Sequence, residues 1–261
     1  MSRVRPAAVA GRFYPANAAA LADLVDASLG GVAVAGPLPK ALIVPHAGYV
    51  YSGPIAASAY ATLRPYRHRI HRVVLLGPAH FVRVTALAIS SADAFATPLG
   101  SVEIDDELRR RALALPQVHI DDRAHAREHS LEVQLPFLQR VLDRYTILPL
   151  VVGNARPDEV ADVLEQVARG TNTLVVISSD LSHYHDYATA TVRDRRTAEA
   201  IVARRSDDIG PEDACGVTGI RGVLELARRQ DLGVRLLDLR NAGDTAGLMD
   251  EVVGYGAFAL G

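Results

Sequence analysis

Ala41–Pro45 (ALIVP), Arg72–Gly77 (RVVLLG) and Thr173–Ser178 (TLVVIS) are short runs rich in β-branched residues, and none of them has a polar face. A strand open to water on one side alternates polar with apolar residues, so such runs belong to a sheet covered on both faces. Further strands are expected at Val84–Ser90, Tyr145–Val152, Val234–Leu239 and Val252–Leu260. Amphipathic stretches alternate with them, predicting helices over Ala18–Ser28, Pro54–Leu63, Asp106–Leu115, Leu131–Asp143, Pro157–Arg169, Tyr187–Arg204 and Gly216–Gln230. Asp105 and Pro157 stand at helix starts, and Arg228 and Arg229 stand where cations favour a helix end. The pattern is that of an α/β fold: a single layered domain over residues 1–261, with a central mostly parallel or mixed β-sheet and helices on both faces.

Composition removes several function classes. With 28 basic and 30 acidic residues the formal charge is −2, which provides no field for nucleic acid and no polybasic membrane signal. A hydrophobic share of 49% against 22% charged residues excludes a disordered chain. No uninterrupted apolar stretch approaches the ~20 residues a spanning helix needs, and the N-terminal segment carries no apolar run of signal-peptide length, so a cytoplasmic location and no membrane role are expected. Cys215 is the only cysteine, which excludes an intramolecular disulfide, and Lys40 is the only lysine.

Ligands in open α/β sheets bind beyond the carboxyl ends of the strands. Three of the nine histidines lie there: His46 after ALIVP, His80 after RVVLLG, and His183 after TLVVIS in Ser179-Asp180-Leu181-Ser182-His183. One loop histidine is ordinarily bonded to a carbonyl, but three at separate strand ends favour a metal site with open positions. Two imidazoles need an anionic partner, for which Asp180, Glu128, Glu132 and Cys215 are candidates. Cys215 precedes a predicted helix, where a thiolate is favoured, although a free cysteine is as often a small buried hydrophobe. In Arg127-Glu128-His129-Ser130-Leu131-Glu132, His129 and Glu132 are placed to share a helical face as a proton-transfer pair; a helix cap built on Ser130 or Glu132 is the plainer alternative. Val133 stands where a zincin would have its second histidine. There is no dinucleotide fingerprint, P-loop, serine elbow or C-x-x-C, and Gly216, Gly219 and Gly222 read as a close helix-packing edge. Tyr49 and Tyr51 are candidates for an aromatic pocket wall.

These segments together resemble the Memo family, whose prokaryotic members are called AmmeMemoRadiSam system protein B. The resemblance rests on Gly11-Arg12-Phe13-Tyr14-Pro15, Pro45-His46-Ala47-Gly48-Tyr49, Leu76-Gly77-Pro78-Ala79-His80, Thr97-Pro98-Leu99-Gly100, Glu128-His129-Ser130-Leu131-Glu132, Ser178-Ser179-Asp180-Leu181-Ser182-His183-Tyr184 and Cys215-Gly216, in family order. It implies a fold similar to class III extradiol dioxygenases, non-haem iron enzymes that open catechols. It also implies His46, His80 and Cys215 as metal ligands, His183 as acid/base with Asp180, and Glu128 and His129 in the same cleft. Cys215 falls where the dioxygenases have glutamate, and its softer thiolate favours copper or a redox role over simple catechol chemistry. Phe81 replaces a second histidine found in some relatives. The resemblance implies Fe(II) or Cu, with Zn a third candidate, a small-molecule or peptide ligand in the cleft, and association with AMME-type and radical SAM system proteins. Three functions follow as expectations: a mononuclear metal oxidoreductase, a non-catalytic peptide-binding scaffold, and a zinc hydrolase.

Overall fold

The computed structural model describes residues 3–33 and 36–261. The first half contains β1 (Val4–Arg5), α1 (Ala18–Gly30), β2 (Ala41–Val44), α2 (Tyr49–Tyr60), β3 (Arg72–Pro78), β4 (Leu87–Ile89), β5 (Ala94–Thr97), β6 (Gly100–Glu103), α3 (Asp106–Leu113), β7 (Val118–Ile120) and α4 (Asp122–Ala126). The second contains α5 (Leu135–Val141), β8 (Thr146–Val152), α6 (Pro157–Val167), β9 (Thr173–Ser178), β10 (His183–His185), α7 (Tyr187–Val202), α8 (Val217–Arg229), β11 (Val234–Asn241) and β12 (Val252–Leu260). The main sheet is mixed, ordered β10-β12-β2-β9-β3-β8-β4-β7 with β11 beside β12. Its centre, β2-β9-β3-β8, is wholly parallel, whereas β12 and β4 run antiparallel against it.

Both faces are covered. Leu42 and Val44 of β2, Val73 and Leu75 of β3, and Leu174 and Val176 of β9 face α1, α2 and α5 in one core. The intervening Ile43, Val74, Leu76, Val175 and Ile177 face α3, α6, α7 and α8 in the other. Period-2 alternation therefore divides each apolar run between two cores, which is why none of these strands has a polar face. The glycine edge of α8 allows close approach. A Cβ on Gly222 would lie 2.3 Å from a Val160 methyl on α6, and one on Gly216 would lie 2.6 Å from Ser179 Cβ. The single lysine closes the end of α6: half-buried Lys40 donates from Nζ to the carbonyls of Ala168, Gly170 and Thr173.

Some elements depart from the sequence reading. The strand expected at Val84–Ser90 is confined to Leu87–Ile89, because Ala86 adopts a φ of +56°. α2 begins at Tyr49 rather than at Pro54, with Ser52 N–H already bonded to Gly48 O. The segment expected as a helix from Leu131 opens as a 3₁₀ turn, Glu132–Gln134, before α5. A small sheet, β1-β5-β6, has no counterpart among the expected strands. Its strands have two to four residues, too few for alternation to register. No described helix is long and apolar enough to cross a membrane.

Candidate metal centre and its cleft

β2, β9 and β3 are adjacent and parallel, so their carboxyl ends present His46, Asp180 and His80 side by side. Cys215 reaches the same place from the entrance to α8, where its N–H donates to Asp180 O (3.3 Å) and its Sγ accepts from Asp180 N–H (3.3 Å). His46 Nε2 is 3.3 Å from Cys215 Sγ. One donor atom from each of His46, His80 and Cys215 lies within 4.8 Å of the other two. Two donors about 2.0–2.3 Å from one ion at tetrahedral angles stand about 3.5 Å apart, so the trio has the spacing of a ligand set.

Hydrogen bonds fix which ring nitrogen is free. The Ser178 hydroxyl donates its only proton to Ser130 O (2.6 Å), so it can only accept from Gln134 Nε2 (2.8 Å) and His46 Nδ1 (2.8 Å). His46 therefore carries its proton on Nδ1 and turns the Nε2 lone pair toward Cys215. His80 Nδ1 lies 2.8 Å from Glu128 Oε1, a carboxylate that also accepts from His80 N–H, His129 N–H and Ser130 N–H. These donors hold Glu128 down to about 2 against the raising effect of its own burial, so it stays ionised and leaves His80 Nε2 available. This is how metal-binding histidines are ordinarily oriented. His80, Glu128 and His129 also form a compact trio, but the donors already engaging the Glu128 carboxylate make it a hydrogen-bonding hub.

Burial, reinforced by the neighbouring His129 and His80, holds His46 well below the usual imidazole range. Burial and His80 lower His129 to about 4, and its ring stacks on His80 with centroids 4.5 Å apart. Histidines 46 and 129 are thus neutral at pH 7, the form that binds metal. Burial, then Asp180, pushes the Cys215 thiol up to about 12, so binding of a cation to its sulfur releases a proton.

The imidazoles open onto a cleft of about 660 Å³ lined in part by Phe13, Tyr51, Asp180, His183 and Tyr255. Asp180 is buried, its Oδ1 accepts the His46 N–H (2.7 Å), and burial raises its carboxyl to about 7. His183 Nδ1 donates to Leu181 O (2.8 Å), which leaves Nε2 as a free lone pair, and burial lowers its pKa. The structure thus brings together His46, His80, Cys215, Asp180, His183, Glu128 and His129.

Glu132 stands apart. Fully buried, it is ion-paired with Arg5 and accepts from Ala8 N–H (2.8 Å), Val9 N–H (3.0 Å) and the Tyr14 hydroxyl (2.5 Å). It is neither a ligand nor the partner of His129, because the expected helix face is absent and four N-terminal donors occupy its carboxylate. It anchors the strap that places Phe13 over His129, with ring centroids 4.6 Å apart. Neither Ser130 nor Glu132 serves as a helix cap. Tyr49 is buried under the strap with its hydroxyl on Val133 O (2.5 Å), so of the two tyrosines only Tyr51 lines the cleft. Sequence reasoning passed over Ser178, Gln134 and Phe13. Strand parity held a signal for Ser178, which follows Leu174 and Val176 on one face of β9.

The family model described as Memo-like protein matches residues 5–259. A MEMO1 family protein of Aquifex aeolicus is 38% identical, with 97% of each chain covered. One of Caldivirga maquilingensis is 34% identical over 98% of each chain, and MEMO1 family protein MK0963 of Methanopyrus kandleri is 35% identical over 98% of each. Among solved structures, the uncharacterized protein JW3007 from Escherichia coli K12 has the same fold. Its TM-score is 0.54 at 12% identity, covering 85% of this chain and all of that one.

Proposed function

This chain belongs to the Memo family, and from that premise we propose that it is a metal-dependent oxidoreductase with an extradiol dioxygenase-like site formed by His46, His80 and Cys215. One observation carries the reading: His46 turns its free Nε2 to the Cys215 sulfur, a donor atom of His80 lies within 4.8 Å of both, and Ser178 and Glu128 hold the two rings through Nδ1. A bound Fe(II) or Cu ion would supply redox chemistry and open coordination positions. The chain's own groups handle substrate and protons. Phe13, Tyr51 and Tyr255 line a pocket wall for an apolar or aromatic portion of the substrate. His183 offers Nε2 as a base, and Asp180, raised to about 7, exchanges a proton near neutrality.

Anaerobic reconstitution with Fe(II), Cu or Zn followed by metal analysis tests the ligand set. The wild type is expected to retain one ion per chain and Cys215→Ala to lose at least ten-fold in affinity; undiminished binding by the variant sinks the assignment. A redox metal supports the oxidoreductase, whereas zinc alone would make the same donors a hydrolytic site. A second reading, a peptide-binding scaffold, is favoured by exposed apolar side chains near the cleft: Tyr184 is 73% and Leu248 80% exposed, and both line it. O₂ uptake with a panel of catechols separates the two. Turnover that disappears in His183→Ala removes the scaffold reading.

A further inference from the structure

Cys215 does not line the cleft that holds His183 and Asp180. It borders a second hollow of about 740 Å³ that shares His80 with the first and is otherwise built from the segment after β3, the end of β8 and the start of α8. The two hollows differ in charge. The first includes Asp180, Asp250 and Glu251, whereas among the described residues no acidic one lines the second.

Around the second hollow, the exposed side chains of Arg83, Thr85 and Asn154 and the half-buried one of Thr218 make no hydrogen bond or ion pair with the described residues, so their donors face the hollow's solvent. An unpaired guanidinium, two hydroxyls and an amide around a site without acids match the donors that recognise an oxyanion. The start of α8, where Thr218 sits, adds the positive end of a 13-residue helix.

We propose that this second cleft binds a small oxyanion-bearing ligand, its carboxylate or phosphate held by Arg83 and Thr218 beside the Cys215–His80 edge. The metal trio then forms a partition with two approaches, one for the molecule held near His183 and one for an anionic co-ligand. The anion site uses Arg83, Thr218, Thr85 and Asn154, none of which belongs to the trio, so it exists with or without the metal.

Metal-free protein is titrated with inorganic phosphate and, separately, with acetate at constant ionic strength, following ³¹P line broadening and ¹H saturation transfer. Saturable binding of at least one anion is expected, weakened ten-fold or more by Arg83→Gln and abolished by Thr218→Asp, which places a negative charge in the cleft. Arg144→Gln, which makes the same charge change at a different hollow, is expected to alter affinity less than two-fold. Which anion saturates identifies the ligand as a phosphate or a carboxylate. The proposal is overturned if neither anion saturates, or if Arg83→Gln and Arg144→Gln bind alike. Because no metal is present, failure here leaves the ligand-set test untouched, and the reverse also holds.

Discussion

Glu128 connects the histidines that surround the candidate metal centre. Its carboxylate accepts from His80 through both ring and backbone and from the His129 and Ser130 amides, so its charge sets the ring orientation and the loop together. Glu128→Gln keeps the shape but replaces one acceptor oxygen with a donor facing other donors. Metal affinity is expected to fall about 10- to 100-fold, the usual effect of losing a ligand's hydrogen-bond partner, as read by competition with a chromogenic chelator. Unchanged affinity would mean that His80 is oriented by something else. At this scale the sequence spoke unevenly. His46, His80 and His183 stood out because each follows a β-branched run, and Cys215 because it is alone. Glu128 and Glu132, four residues apart in one motif, were equal candidates for an anionic ligand on residue type alone, yet one supports His80 and the other anchors Arg5 and Tyr14. Their difference depends on an N-terminal strap more than a hundred residues away in sequence.

At the scale of elements, legibility followed length and period. The strands of the sheet centre and the longer helices were visible because their hydrophobic pattern repeats enough times to register. β1, β5 and β6 escaped because they gain their order from pairing with one another, as in Val4 with Ala94 and Phe95 with Val102. The glycine edge of α8 shows a pattern with a tertiary meaning, since Gly222 meets Val160 of α6 at a distance that leaves no room for a Cβ. Gly222→Ala gains about 1 kcal/mol of helix propensity but forces the helices apart, at a cost of roughly 1–3 kcal/mol and more where the backbone must move. A net loss of stability is expected in urea denaturation, with recovery when Val160→Ala is added. Destabilisation that Val160→Ala leaves uncorrected would place the strain elsewhere.

Over the whole molecule, stability is expected to depend on buried neutral imidazole. His125, 1% exposed, donates from Nε2 to Ala88 O (3.0 Å), while its Nδ1 has no partner among the described residues. Burial lowers its pKa from 6.5 to about 4. Below pH 6.5 the unfolded chain takes up a proton that the folded chain refuses until about pH 4. Stability contributed by the neutral ring is therefore complete above pH 6.5 and lost as pH falls through that window, by about 3 kcal/mol for a shift of this size. Urea unfolding from pH 7 to 4.5 should show the decline, and His125→Gln should flatten it even if the variant is weaker at pH 7. A slope identical in both proteins would assign the proton uptake to other groups.

The amino-acid sequence by itself determined the layered α/β architecture and the placing of three histidines at strand ends, because both follow from local periodicity and from where turns interrupt it. It also carried the family, through short motifs in a fixed order. Only the tertiary structure decided which candidates meet. Adjacent parallel strands β2, β9 and β3 bring His46, Asp180 and His80 together, and α8 returns Cys215 to them from far along the chain. It also decided the tautomers, through Ser178 and Glu128, and divided the space around the trio into an acidic and an acid-free hollow. Hydrophobic patterning is a property of neighbours in sequence, whereas lone-pair direction and local charge are properties of neighbours in space.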